Sequence, residues 1–386
     1  MFDIVIPIKY NNFIMSSLSI GIVGLPNVGK STLFNALLKR QAALAANYPF
    51  ATIEPNVGVV DVPDPRLDEL CKIVITDYGR GSEGREIPEK ITPAVVKFYD
   101  IAGLVKGASK GEGLGNAFLG HIREVNAIAH VVRSFEDENV VRAGSVDPIS
   151  DKETVNTELI LADIQSLENT IGKLEKDIRG KPEKEAKIKY ETAKKILEGL
   201  NNGTLAKDLN LEYEELEASK ELNLLTLKPQ IYVLNVSEEY LSNKNEQNID
   251  KSLKDSIVIC AKLESELADF DKNERENYLK ELGIEYSGLD KLIKKGYEML
   301  GLETFLTAGP KEVRAWTIKK GSKAPQAAGE IHTDFERGFI SAEIINYETL
   351  VEIGSIKKAK EKGLIRLEGK NYVMQDGDVV LFRFSV

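Results

Sequence analysis

Residues 24–32 read GLPNVGKST: four residues lie between two glycines, and a lysine and two hydroxyl residues follow directly. Those types in that order are suited to holding phosphate. Gly24 and Gly29 let a loop wrap closely, so the backbone N–H groups from Asn27 through Val28 and Gly29 to Thr32 turn toward phosphate oxygens at a helix start. Lys30 supplies a point charge to the β- and γ-phosphates, and the Ser31 hydroxyl can ligate Mg²⁺. Two later positions suit the same ion. Thr52, in FATIEPN, can offer a hydroxyl when a γ-phosphate is present, and Asp100, closing VVKFYD, would hold the ion through water. The Gly103 N–H would then meet the γ-phosphate. Gly107, Gly111, Gly113 and Gly115 after it predict a switch segment that orders on that phosphate.

Such residues need a strand before the loop and a helix after it. LSIGIV, from Leu18, and LFNALLKR have those patterns, and further apolar runs begin at Val57, Ala94, Ala127, Gln230 and Ser256. Strands alternating with helices predict an α/β fold with a mostly parallel sheet covered on both faces. From about Asp151 to Leu225 the rhythm changes. Ile160, Ile164, Leu167, Ile171, Leu174 and Ile178 form one heptad-like stripe; after RGKPEK, Ala186, Tyr190, Ala193, Leu197 and Leu200 form another. A coiled-coil hairpin inserted between two strands fits this better than two helices lying on the main domain, because the surrounding positions are almost all charged. From Glu303 onward, alternation, tight turns and one helical piece near Tyr347–Ile353 suggest a small β-grasp module. The domains so read are an N-terminal extension over 1–17, since Met15 stands just before the first strand, a nucleotide domain over 18–150 and 226–302, the helical insert over 151–225, and the C-terminal module over 303–386.

The 386 residues carry a net charge of −10, which argues against DNA binding by the whole molecule. The charge is uneven: from Glu303 onward 13 basic residues face 12 acidic ones, so any RNA contact falls more naturally in that part. Lys311, Arg314, Lys319, Lys320 and Lys323 surround Trp316, which suits phosphate contact with base stacking, or a core tryptophan in a charged strand. Lys181, Lys184, Lys187 and Lys189 near the hairpin tip offer a second basic surface. Cys71 and Cys260 lack metal or disulfide spacing, no run reaches membrane-span length, and the N-terminus lacks a basic start and cleavage site; a cytoplasmic location without membrane contact is expected.

At the end of QIYVLNV the segment reads NVSE, where a guanine-reading protein would carry Asn-Lys-x-Asp. An aspartate there accepts two hydrogen bonds from guanine, whereas adenine presents a bare acceptor to it. Here Val236 and Glu238 replace the lysine and the aspartate, while Asn235 keeps an amide able to meet either purine. Cys260, Ala261 and Lys262 form a CAK run like the last base-contacting loop. Together with GIVGLPNVGKSTLFNAL, DIAGLVKGASKGEGLGNAFL and VRAWTI…APQAAGEIHTDFERGFI, this segment makes nearly the whole chain after Met15 resemble the YchF (Obg-like ATPase) family. The resemblance implies a Ras-like P-loop domain, an inserted helical hairpin and a C-terminal TGS domain. It also implies slow ATP hydrolysis in preference to GTP, with Mg²⁺, and association with the ribosome, either its large subunit or the 70S particle, through ribosomal RNA.

Leu104 stands where many GTPases place a water-orienting glutamine, so slow turnover is expected. His130, in AIAHVV, is the catalytic candidate to orient water in its place; the alternative is a histidine satisfied within the sheet. Asn27 either helps hold K⁺ near the phosphates, as in related loops with Pro-Asn, or stabilises its own loop. Two other readings remain: a guanine-specific ribosome-assembly GTPase, against which NVSE argues, and a nucleotide-gated binding module with incidental hydrolysis, which Leu104 favours.

Overall fold

The computed structural model describes residues 18–45, 56–79, 87–101, 114–135, 147–179, 183–242 and 250–385. The extension over 1–17, Thr52, Gly103, Leu104 and the glycine-rich run through Gly113 lie outside them. Described strands, in chain order, are β1 (Ser19–Val23), β2 (Val57–Asp61), β3 (Lys90–Thr92), β4 (Val95–Asp100), β5 (Ala127–Ser134), β6 (Gln230–Val236), β7 (Ile257–Ile259), β8 (Leu302–Ala308), β9 (Glu312–Lys319), β10 (Phe339–Asn346), β11 (Arg366–Glu368) and β12 (Asp378–Phe384). The chain divides into two compact units, Ser19–Val62 with Val96–Leu300, and Pro63–Val95 with Gly301–Val386.

In the first unit a six-stranded sheet runs β2-β4-β1-β5-β6-β7, and β4, β1, β5, β6 and β7 pair in parallel. Its central strands are mostly apolar and buried because helices cover both faces: all five residues of β1 and the first seven of β5 are buried. Parallel strands place their C-terminal ends on one edge, where an α/β sheet holds its ligand. The insert begins with a helix at Pro148–Asp177, whose N-cap Asp147 accepts from the Ile149 N–H at 3.0 Å. A second helix, Lys184–Asn201, follows after a short turn. The two stripes read from the sequence meet in one apolar cluster that contains Ile160, Leu167, Leu174, Tyr190, Ala193 and Leu200. Buried Asp163 ties the far end of the insert to its first helix, accepting from the N–H groups of Leu225 and Thr226 and from the Thr226 hydroxyl.

The second unit has a mixed sheet ordered β11-β10-β12-β8-β9-β3. A helix absent from the sequence reading, Ala324–Ile331, packs Ala324, Ala327 and Ala328 into the core beneath that sheet. Residues 63–95, read from the sequence as part of the nucleotide domain, group with this unit. The helix Arg66–Tyr78 buries Leu67, Leu70, Cys71, Ile73 and Val74 in it. Strand β3 extends the sheet by pairing in parallel with β9, and Arg66 bridges Asp64 and Asp376 at 2.8 and 2.7 Å.

Candidate functional site

The phosphate loop leaves β1 at the ligand edge of the first sheet. Gly24 has φ +155°, and a Cβ there would lie 2.5 Å from the Val131 carbonyl oxygen. Gly29 has φ +95°, and a Cβ would meet the Asn235 amide at 2.2 Å. Both glycines are thus required by backbone geometry and close approach. Asn27 adopts φ +63°, a left-handed conformation that asparagine tolerates. The helix Lys30–Ala45 starts directly after the loop, so its first N–H groups face the space the loop encloses.

Lys30 is buried and donates to the Leu25 carbonyl at 2.7 Å. Burial pushes its pKa down to about 8, and the nearby Asp100 carboxylate opposes that shift. Asp100 ends β4, whose register places it beside Ile22 of β1. Its Oδ1 is buried without a hydrogen-bond partner, and burial raises its pKa while Lys30 lowers it. A buried carboxylate oxygen with no donor, beside the Lys30 cation, is a fitting outer ligand for a hydrated Mg²⁺.

At the base end Asn235 acts as a bracket. Its Nδ2 donates to the Val28 carbonyl at 2.9 Å, and its Oδ1 accepts from the Ala261 N–H at 3.0 Å. The amide read from the sequence as a purine contact thus also ties the phosphate loop to the CAK loop. Val236 points its side chain into a cluster with Leu253, Cys260, Leu263 and Leu267. Cys260 is buried there and caps the helix Ala261–Leu267. Glu238 is exposed, and Lys262 approaches its Oε1 at 3.4 Å.

His130 lies within the sheet, the placement that the alternative reading expected. This residue is fully buried in β5, flanked by Val23 and Tyr232. Its Nδ1 lies 3.2 Å from the Gln230 amide, and burial holds its pKa down to about 3, with Lys152 and Lys30 adding to the effect. The ring stands neutral within the sheet, and its Nε2 is buried without a hydrogen-bond partner. Of the two readings of the cluster around Trp316, the structure shows the core tryptophan. Arg314 is buried with its guanidinium 3.7 Å from the Trp316 ring, and Trp316 stacks on Phe305 while donating to the Thr307 hydroxyl. This is a packed core edge, not a base-stacking platform. Sequence reasoning passed over Arg133, which faces Asn235 at the end of β5. It donates from Nε to the Phe135 carbonyl at 2.9 Å and leaves Nη1 buried without a partner. An arginine closing an apolar strand was the available signal.

A family model described as "50S ribosome-binding GTPase" matches residues 19–160, and YchF-GTPase_C, described as "Protein of unknown function (DUF933)", matches residues 302–385. The chain is 51% identical over 379 residues to the "Ribosome-binding ATPase YchF" of Bacillus subtilis, covering 96% of this chain and 100% of that protein. It is 52% identical over 372 residues to the protein of that name in Haemophilus influenzae, covering 95% and 99% of the two chains. The solved Schizosaccharomyces pombe YchF GTPase superposes with a TM-score of 0.82 at 38% identity, covering 95% of this chain and 98% of that one.

Proposed function

This chain belongs to the YchF family, and from that premise we propose that it is a ribosome-associated P-loop ATPase that hydrolyses ATP slowly as a regulatory switch in translation or stress response. The observation that carries the reading is the juxtaposition of buried Lys30 with the unpartnered Asp100 carboxylate below the phosphate loop. Lys30 binds and neutralises the outer phosphates. Ser31 and Asp100, with Thr52, hold Mg²⁺, which when bound offsets charge on the phosphate oxygens. Gly103 meets the γ-phosphate. The Asn235 bracket fixes the distance between phosphate loop and base loop, while Val236, Glu238 and the Cys260–Lys262 loop leave the base end without a guanine clamp. Asn27 assists by holding K⁺; equal turnover in K⁺ and Na⁺ at matched ionic strength would remove that part.

ATP and ADP are the ligands, and the partner is the large subunit or the 70S ribosome through its RNA, in the cytoplasm, with no role for DNA or membrane. Among the described residues no helix is long and apolar enough to cross a membrane. The helical insert over 151–225 and the TGS module over 303–386 are the surfaces assigned to the ribosome. The word GTPase in two of the matched descriptions keeps a guanine-specific reading in view, and the base end argues against it. Co-sedimentation with purified ribosomes tests the partner. Binding is expected to be stronger with a non-hydrolysable ATP analogue than with ADP and weaker without residues 303–386; binding indifferent to both would overturn the assignment.

A further inference from the structure

The C-terminal unit carries a basic surface that the nucleotide chemistry does not use. Residues 357–370 contain six basic side chains against Glu361 and Glu368, a local net charge of +4 in a chain of net −10. The backbone beneath them is fixed. Ser355 caps the helix Ile356–Glu361 by accepting from the Lys358 N–H at 3.1 Å, and Asp77 accepts from the Ser355 hydroxyl at 2.5 Å and the Ile356 N–H at 2.7 Å. Two of the six side chains are engaged within the unit: Lys357 donates to the Asp77 carbonyl, and Arg366 donates to the Tyr372 hydroxyl and faces Glu368. The other four, Lys358, Lys360, Lys362 and Lys370, are exposed and have no carboxylate within ion-pair distance among the described residues. Leu364 and Leu367 stand beside them, 39% and 64% exposed.

The helical insert shows the contrast. Lys184, Lys189 and Lys195 there meet Glu214, Glu221 and Glu215 at 2.8, 2.5 and 2.6 Å. Those three lysines have carboxylates beside them, while Lys173, Lys176 and Lys187 of the insert are exposed without one among the described residues. A helix C-terminus favours lysine within its last turn, which covers Lys358 and Lys360 but not Lys362 or Lys370 beyond the helix. We infer that the surface of helix Ile356–Glu361 and strand β11 binds the phosphate backbone of ribosomal RNA. The inference rests on the ribosome association proposed above and gives it a place. Four uncompensated ammonium groups on a pinned scaffold suit a dense row of phosphates, whose counterions they release on contact.

The test replaces all four lysines with glutamine (K358Q/K360Q/K362Q/K370Q) in the full chain. Binding to purified ribosomes and to protein-free ribosomal RNA is measured across a range of salt concentrations. A K254Q/K291Q/K295Q variant, which removes exposed lysines outside both surfaces assigned to the ribosome and outside the nucleotide site, serves as the control. The C-terminal variant is expected to bind both about tenfold or more weakly, with a log–log salt slope shallower by about 3, while the control keeps the wild-type slope. ATP turnover without ribosomes should be unchanged, since none of the four residues belongs to the nucleotide site. Ribosome binding equal to wild type would overturn the surface and leave ribosome association standing. Loss on ribosomes with no wild-type binding to bare RNA would identify an acidic ribosomal protein as the partner and overturn the RNA assignment. A wild-type chain that binds neither would overturn both.

Discussion

The phosphate end and the base end of the nucleotide site share one sheet edge but differ in how far each specifies its ligand. At the phosphate end every group is indifferent to the base: glycines that permit close approach, a buried lysine, a carboxylate with an unpartnered oxygen. At the base end the positions that select guanine in other proteins have been given other work. Val236 fills a core, and Glu238 lies in the open beside Lys262. Asn235 joins the two ends through Val28 and Ala261, so the site is one rigid bracket with a demanding half and a permissive half. A phosphate motif therefore identifies a nucleotide-binding site, and the base loop has to be read separately to say for which nucleotide.

The sharpest way to break this comparison is at the demanding end. Lys30→Ala should lower ATP turnover at least about 100-fold, the scale of losing a charged transition-state contact. Burial already disfavours the Lys30 ammonium, with its pKa held to about 8, so the fold should survive the change. Turnover within twofold of wild type in a variant with a normal melting curve would refute the phosphate assignment.

At the permissive end, Glu238→Asp with Lys262→Ala shortens the carboxylate and frees it from its neighbouring cation. The ratio of GTP to ATP affinity should rise by about 1–3 kcal/mol, the worth of a pair of hydrogen bonds to a charged group. Lysine at position 236 is the less useful exchange, because that side chain is buried among leucines and would enclose an ammonium. A ratio unmoved by the double change would place base selection elsewhere.

The smallest effect concerns His130, beneath both ends. Its folded pKa of about 3 lies below the ordinary value of 6.5, so the unfolded chain takes up the proton more readily. Its contribution to stability is fully present above about pH 6.5 and is lost as pH falls toward 3, at about 1.4 kcal/mol per pH unit. His130→Gln should flatten that part of the profile in denaturant unfolding near pH 7 and near pH 5. A wild-type slope retained in the variant would show that the ring is not the source.

The legible features were those whose cause is local. GLPNVGKST announces its loop because the glycines, lysine and hydroxyls that hold phosphate are contiguous, and the heptad stripes of the insert announce two facing helices. What stayed hidden depends on residues distant in sequence. Nothing near Pro63 tells that β3 will pair with β9, since register is set only when the sheets assemble. The short helix Ala324–Ile331 is held by alanines packed under a sheet and has too few turns for a clear stripe. The bridging role of Asn235 is hidden in the sequence because its partners, Val28 and Ala261, come from opposite parts of the chain. Whether Trp316 stacks on bases or sits in the core is open in the sequence, because a strand's charge pattern does not reveal which face the rest of the fold will cover.

Calorimetric titration of ATP, GTP and their diphosphates into nucleotide-free protein with Mg²⁺ addresses the base end directly. The reading of a P-loop with no guanine clamp predicts that ATP binds more tightly than GTP and that the diphosphates keep the same order. Tighter binding of GTP in both pairs would contradict it, and would mean that Glu238 clamps guanine despite its length and its neighbour Lys262.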